Sequence, residues 1–365
     1  LSSSGAISIV QRWNRVLRPV SPEPLVASHG VTARLDAGVT GLSVLGDVVA
    51  AGLGDGRVVF HGRTGRTEVE AHDGAVLCTA LAPDGRALLT AGDDGRVMAS
   101  APDAAPRLVH DGKGKWPEAI AAARASGLVA VALGRAALVI DPAGKVTTLT
   151  HERAVLGLAF DAKGRRLACA HADGVTIWWA LAPQMKPTVL EWKGAHLSVA
   201  FHPDGDFLVT GMAEGALHGW RLSDGVHFRM AGYPSKPRQL SFGRKGRYLA
   251  TSGAGPVLVW PFADRRNGPM GAQATPLQAR DGPCLAVACA PGEDLVLAGW
   301  ADGGVHLFRL ADGADVWIGG PAAAGAITGD PFAARTRVTC VGWSDDAARL
   351  AWGAEDGTLG FVRLV

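Results

Sequence analysis

Residues 155–179 read Val155-Leu156-Gly157-Leu158-Ala159-Phe160, Asp161-Ala162-Lys163-Gly164, Arg165-Arg166-Leu167-Ala168-Cys169-Ala170, His171-Ala172-Asp173-Gly174, Val175-Thr176-Ile177-Trp178-Trp179. Three short apolar runs alternate with turns that supply Gly where φ must be positive, which predicts an antiparallel meander. Forty-two residues on, Leu197-Ser198-Val199-Ala200-Phe201, Pro203-Asp204-Gly205, Phe207-Leu208-Val209-Thr210, Ala213-Glu214-Gly215 and Ala216-Leu217-His218-Gly219-Trp220 repeat the pattern. Units of about 40 residues with four strands each read as the blades of a propeller.

Working outward, first strands start near Val39, Val76, Glu118, Val155, Leu197, Gln239, Cys284 and Val338, at gaps of 37, 42, 37, 42, 42, 45 and 54 residues. The chain is therefore expected to be all-β, with eight blades. Seven, with one unit misread, is the alternative, and unit three is the weakest because Gly134-Arg135-Ala136 replaces its acidic turn. The last unit has room for only Val338–Trp343, Arg349–Gly353 and Thr358–Arg363, whereas residues 28–36 form a strand with no unit of their own. Pairing the two closes the ring and removes its open ends. The expected division is an extension over 1–27 and a propeller over 28–365.

The repeat resembles the WD40 family. In that family an acid in the turn before the third strand lies six residues ahead of the strand's Trp, and a His precedes the first strand. Asp173 to Trp179 and Glu214 to Trp220 keep that spacing, with His151 and His196 in place. Phrases such as Leu190-Glu191-Trp192-Lys193-Gly194 and Ala216-Leu217-His218-Gly219-Trp220-Arg221-Leu222 are similar to single-propeller WD40 proteins of alphaproteobacteria. The resemblance implies acids at Asp55, Asp94, Asp173, Glu214, Asp302 and Asp356, and Trp slots at Trp179, Trp220 and Trp260, with Phe308 as a substitute. It leaves full His–acid–Trp sets only in units four and five, read here as structural.

Composition narrows the function. The 365 residues carry 36 basic and 34 acidic side chains. Residues 1–27 hold Arg12, Arg15, Arg18 and Glu23, which leaves the rest balanced at 33 against 33. A neutral body gives no electrostatic footprint for nucleic acid. No apolar run approaches the ~20 residues of a membrane helix. Cys78, Cys169, Cys284, Cys289 and Cys340 show no CxxC pairing and fall in strands, which favours reduced core residues and a reducing compartment. Ile7, Ile9, Val10, Trp13, Val16 and Leu17 fit one side of a short helix ended by Pro19, Pro22 and Pro24. That segment reads as a docking arm, a targeting remnant or a loose terminus, and the missing Met implies a trimmed or altered start. The long linkers 262–282 and 311–337 are candidates for partner contact.

No catalytic spacing emerges. Gly41-Leu42-Ser43-Val44-Leu45-Gly46 misses GxSxG, and Asp111-Gly112-Lys113-Gly114-Lys115 lacks the upstream Gly and the helix of a phosphate loop. The eleven His include no HExxH. Catalytic residues, cofactor and metal site are thus all expected to be none. What remains is one rim, where the loops before the first strands place Trp116, Arg153, Trp192, Tyr233, Lys236, Arg238, Arg280 and Arg337. Arg and aromatic residues anchor protein interfaces, and the excess of cations suits an acidic or phosphorylated peptide. The expected function is a non-catalytic protein-interaction scaffold in the bacterial cytoplasm, or in an organelle if residues 1–27 are a targeting remnant. The alternatives are a structural subunit held in a larger assembly by its arm, or an enzyme or binding protein with a small ligand in the central channel.

Overall fold

Most units are built from short strands whose second members are almost wholly buried, as in Leu128–Leu133, Phe207–Met212 and Leu295–Trp300. The computed structural model describes residues 23–63, 65–243, 245–321 and 336–364. The expected helix around Ile7–Leu17 and the stretch 322–335 of the second linker lie outside them.

The first strands follow one another around an axis. Val39–Leu45 packs against Val76–Leu81, that against Pro117–Ala123, then Val155–Phe160, and Val338–Trp343 packs back against Val39–Leu45. Between neighbouring units lie separate hydrophobic layers, such as Leu89, Val97, Val131 and Ile140 between units two and three. Facing sheets thus bury their apolar sides against each other while each strand keeps its period of two.

Closure uses the N-terminal strand. Gly30–Arg34 pairs antiparallel with Thr358–Arg363, Val31 opposite Phe361 and Arg34 opposite Thr358. Arg34 also bonds Asp356. Contact with the ring starts before residue 28: Leu25 N–H donates to Trp317 O at 2.9 Å, and Leu25 and Val26 pack on the closing core beside a short helix, Val26–His29.

Hydrogen bonding groups the described strands into seven sheets, six of four strands and one of six. The expectation of eight separate blades is corrected at units four and five. Two strands of 14 residues, Arg166–Trp179 and Thr188–Phe201, run through that stretch. The first part of Thr188–Phe201 pairs back on Gly174–Ile177, and the part from His196 onward pairs with Leu208–Met212. Backbone that the repeat pattern divides near Gly194 is continuous, so units four and five share one sheet.

The first long linker is mostly ordered into its unit. Thr275–Leu277 is the outer strand of unit six, Met270 and Ala274 pack on its core, and the Asp264 carboxylate accepts the N–H groups of Arg266 and Asn267. Asp315–Gly319, in the second linker, is the outer strand of unit seven.

Candidate interaction rim

In four units the connection from an outer strand to the next inner strand drops one side chain over a Thr or an acid of the following unit. In unit two this is His72, with Nδ1 3.0 Å from Asp94 Oδ1 and Nε2 2.8 Å from Thr90 Oγ1. Asp94 also accepts its own turn's Arg96 N–H at 2.9 Å; burial opposes ionisation, but these donors hold its carboxyl below the usual range. In unit five His196 bonds Thr210 Oγ1 at 2.7 Å and Trp192 O at 2.9 Å, while Glu214 accepts Ala195 N–H at 3.0 Å. In unit six Tyr233 fills the slot: its hydroxyl lies 2.7 Å from Thr251 Oγ1 and accepts Trp260 Nε1–H at 2.7 Å. In unit seven it is Arg280, whose Nε donates to Asp302 at 2.9 Å.

Unit four departs from the expected set. Trp178, not Trp179, meets His151, donating from Nε1 to His151 Nε2 at 3.3 Å. Trp179 faces outward, 39% exposed. The departure is local: Asp173 adopts φ 69°, a left-handed conformation like that of Gly215 in unit five, within the continuous strand Arg166–Trp179. A shift of one residue exchanges the faces of a strand. Asp173 is left at the surface, accepting Gly194 N–H at 3.3 Å, and does not reach His151. Direct His–acid contact thus occurs at His72–Asp94, which the Trp-based reading passed over because Ser100 occupies that unit's Trp slot. Tyr233 was also missed as a slot residue. The available signal was its separation of 27 residues from Trp260, the same as His151 to Trp178.

The rim candidates divide by burial. Trp116 is 67% exposed, and Arg153, Lys236, Arg238 and Arg337 are exposed. Tyr233 and Arg280 are buried in the slots just described, and Trp192 is half-buried, stacked on His218 at 4.0 Å and 16°. Two depressions open on this face. One, of about 530 Å³, has Glu214, Tyr233, Ser235, Lys236 and Arg238 on its walls. The other, of about 940 Å³, lies where unit three meets unit four and brings together His151, Arg153, Asp173, Trp178 and Trp192. Burial, reinforced by the neighbouring His171, drives the His151 pKa down to about 4, so the ring is neutral. Because Nε2 accepts the indole N–H, the proton sits on Nδ1.

Toward the axis, side chains cap the free edges of the first strands. Gln239 accepts Val287 N–H at 3.0 Å and donates to Thr339 O at 3.3 Å, Ser241 accepts Cys289 N–H at 2.9 Å, and Trp343 Nε1 donates to Ala288 O at 3.0 Å. Edge groups that would otherwise need water are thereby satisfied. The five cysteines are free thiols, and burial pushes them up, Cys78 and Cys284 to about 12. Among the described residues no group of three His, Cys, Asp or Glu side chains is placed to hold a metal, and no helix is long and apolar enough to cross a membrane.

The pattern "WD domain, G-beta repeat" matches residues 64–98 and 190–221. These windows contain the His72–Thr90–Asp94 and His196–Thr210–Glu214 arrangements, and the ring of sheets around them is the propeller that such repeats build. The chain is a β-propeller that carries WD40 repeats in these two windows. Among solved structures, the crystal structure of the computationally designed Ika8 protein matches with a TM-score of 0.71, covering 90% of this chain and 97% of that one at 19% identity. That likeness is one of fold. No curated protein matches the sequence.

Proposed function

We propose that this WD40 propeller is a non-catalytic scaffold that binds protein partners through the rim formed by the loops entering its first strands. The observation that carries this reading is a rigid ring presenting the most exposed large apolar residue named above, Trp116, on the same rim as Lys236, Arg238 and Arg337, none of which makes an ion pair among the described residues. An exposed aromatic with uncommitted cations is the composition of an interface anchor. WD40 propellers commonly serve protein interaction, and the thiols here are buried or half-buried and weakly acidic, which suits a structural role. Free thiols also accord with a reducing compartment such as the bacterial cytoplasm. The double-length sheet of units four and five carries two copies of the sequence repeat within one of the seven sheets.

The test is affinity purification under native conditions with a Trp116→Ala, Lys236→Glu, Arg238→Glu variant, beside a control on the opposite face, Lys163→Glu. The rim variant should lose co-purifying proteins that wild type and control both retain. Identical partner lists for all three would reject the rim.

A further inference from the structure

We infer that the cleft between units three and four is a groove for an extended peptide segment of a protein partner, one that carries an apolar residue beside a lysine or arginine. This rests on the scaffold reading but concerns a different surface from Lys236 and Arg238.

Shape comes first. The outer strand of unit three, Val146–Thr150, reads Val-Thr-Thr-Leu-Thr, and Thr150 at its end lines the cleft. Opposite it, Trp178, Pro187 and Val189 of unit four line a space of about 940 Å³, within the range of ligand pockets. Val189 is a strand residue pointing at a neighbouring blade, yet it is 55% exposed. Large apolar surface left open inside a concave site marks an interaction surface. The backbone offers the second feature. The first part of Thr188–Phe201 pairs with Gly174–Ile177 on one side, and its other edge has no strand against it among the described residues. An added segment can pair along such an edge. His151 supplies a further donor, since its Nδ1–H makes no hydrogen bond among the described residues and a peptide carbonyl would accept it.

Charge selects the occupant. Arg153 and Asp173 lie 3.9 Å apart and offset each other. Glu152 and Glu191 line the cleft with no ion pair among the described residues, opposed by Lys193 alone. The pocket at Lys236 and Arg238 has the reverse balance, because Glu214 is engaged by Ala195 N–H. A basic side chain therefore gains in the cleft and an acidic one loses, while the apolar neighbour covers Val189 and Trp178.

The full chain would be titrated, by fluorescence anisotropy, with short synthetic peptides of four kinds: apolar–basic, apolar–acidic, apolar–neutral and polar–basic. The apolar–basic peptide should bind most tightly. Val189→Asp should weaken it about tenfold or more, and Glu191→Lys should turn the preference toward the apolar–acidic peptide. The Lys236→Glu, Arg238→Glu variant should leave this binding unchanged. All the altered side chains are exposed, and an unchanged near-UV circular dichroism spectrum would confirm the fold. The proposal is overturned if acidic and basic peptides bind alike, if Glu191→Lys leaves the preference as it was, or if Val189→Asp instead abolishes self-association, which would assign the groove to a second copy. Failure of the rim variant to lose partners rejects the rim alone, and failure of charge inversion at Glu191 rejects the groove alone.

Discussion

His218 is fully buried, yet neither ring nitrogen has a hydrogen-bond partner among the described residues. One face lies on Trp192 at 4.0 Å, and Trp220 stands edge-on at 4.6 Å. Burial, with repulsion from His227, His196 and Arg229, pushes its pKa down to about 3. An unfolded histidine titrates near ~6.5. Between those values the unfolded chain takes up a proton that the folded chain refuses. The stability of the neutral buried ring is therefore complete above about pH 6.5 and is lost as pH falls toward 3. Replacing His218 by Leu forgoes ring stacking of ~0.5–1.5 kcal/mol and relieves two stranded polar atoms at ~1–3 kcal/mol. His218→Leu should thus be at least as stable as wild type near pH 7.5, and its advantage should widen near pH 5, read as urea midpoints at the two pH values. An advantage that shrinks on acidification would contradict the burial argument. The phrase Leu217-His218-Gly219-Trp220 was legible as a strand, but not the partnerless state of its His, because that depends on what Trp192 covers from the preceding unit.

At the scale of the element, the repeat made the strands readable and hid one register. Alternating runs between Gly-bearing turns placed the third strand of unit four correctly, while the fixed acid-to-Trp spacing selected Trp179. Asp173 takes the left-handed φ of 69° itself, whereas in unit five Gly215 does so after Glu214, and Trp178 packs inward with Leu149, Val155 and Leu167. Nothing in the letters His171-Ala172-Asp173-Gly174 announces that Asp173, rather than a glycine, takes the left-handed φ. The same dependence on geometry explains the slot residues: Tyr233 serves unit six because its hydroxyl both accepts from Trp260 and meets Thr251, a role that a search for His overlooks. Trp178→Ala should cost about 3 kcal/mol by removing a packed indole and its bond to His151, whereas Trp179→Ala should stay within about 0.5 kcal/mol, as exposed substitutions do. Guanidinium unfolding of the two variants decides the register, and the opposite ranking would restore the spacing rule.

For the molecule as a whole, the strand Gly30–Arg34 joins the two ends of the chain in one sheet with Thr358–Arg363. Its partner strand is otherwise an edge with exposed N–H and C=O groups, and the core under it, including Leu359, Phe361 and Leu35, would open to water. This contact spans nearly the full length of the chain, so forming it carries the largest loop-closure entropy of any strand pair here, although that cost grows only as the logarithm of the loop. It follows that closure stabilises the folded ring without being needed for the local meanders, which are made of neighbours in sequence. Deleting residues 1–22 should leave the unfolding transition unchanged, because the bond of Leu25 N–H to Trp317 O and the closing strand are both kept. Deleting residues 1–35 should lower the thermal midpoint by several degrees at least and promote association through the bared edge, seen as a concentration-dependent shift in size-exclusion chromatography. If the longer deletion instead melts like the full chain and remains monomeric, the terminal strand is an ornament on a ring already closed by packing between Val338–Trp343 and Val39–Leu45.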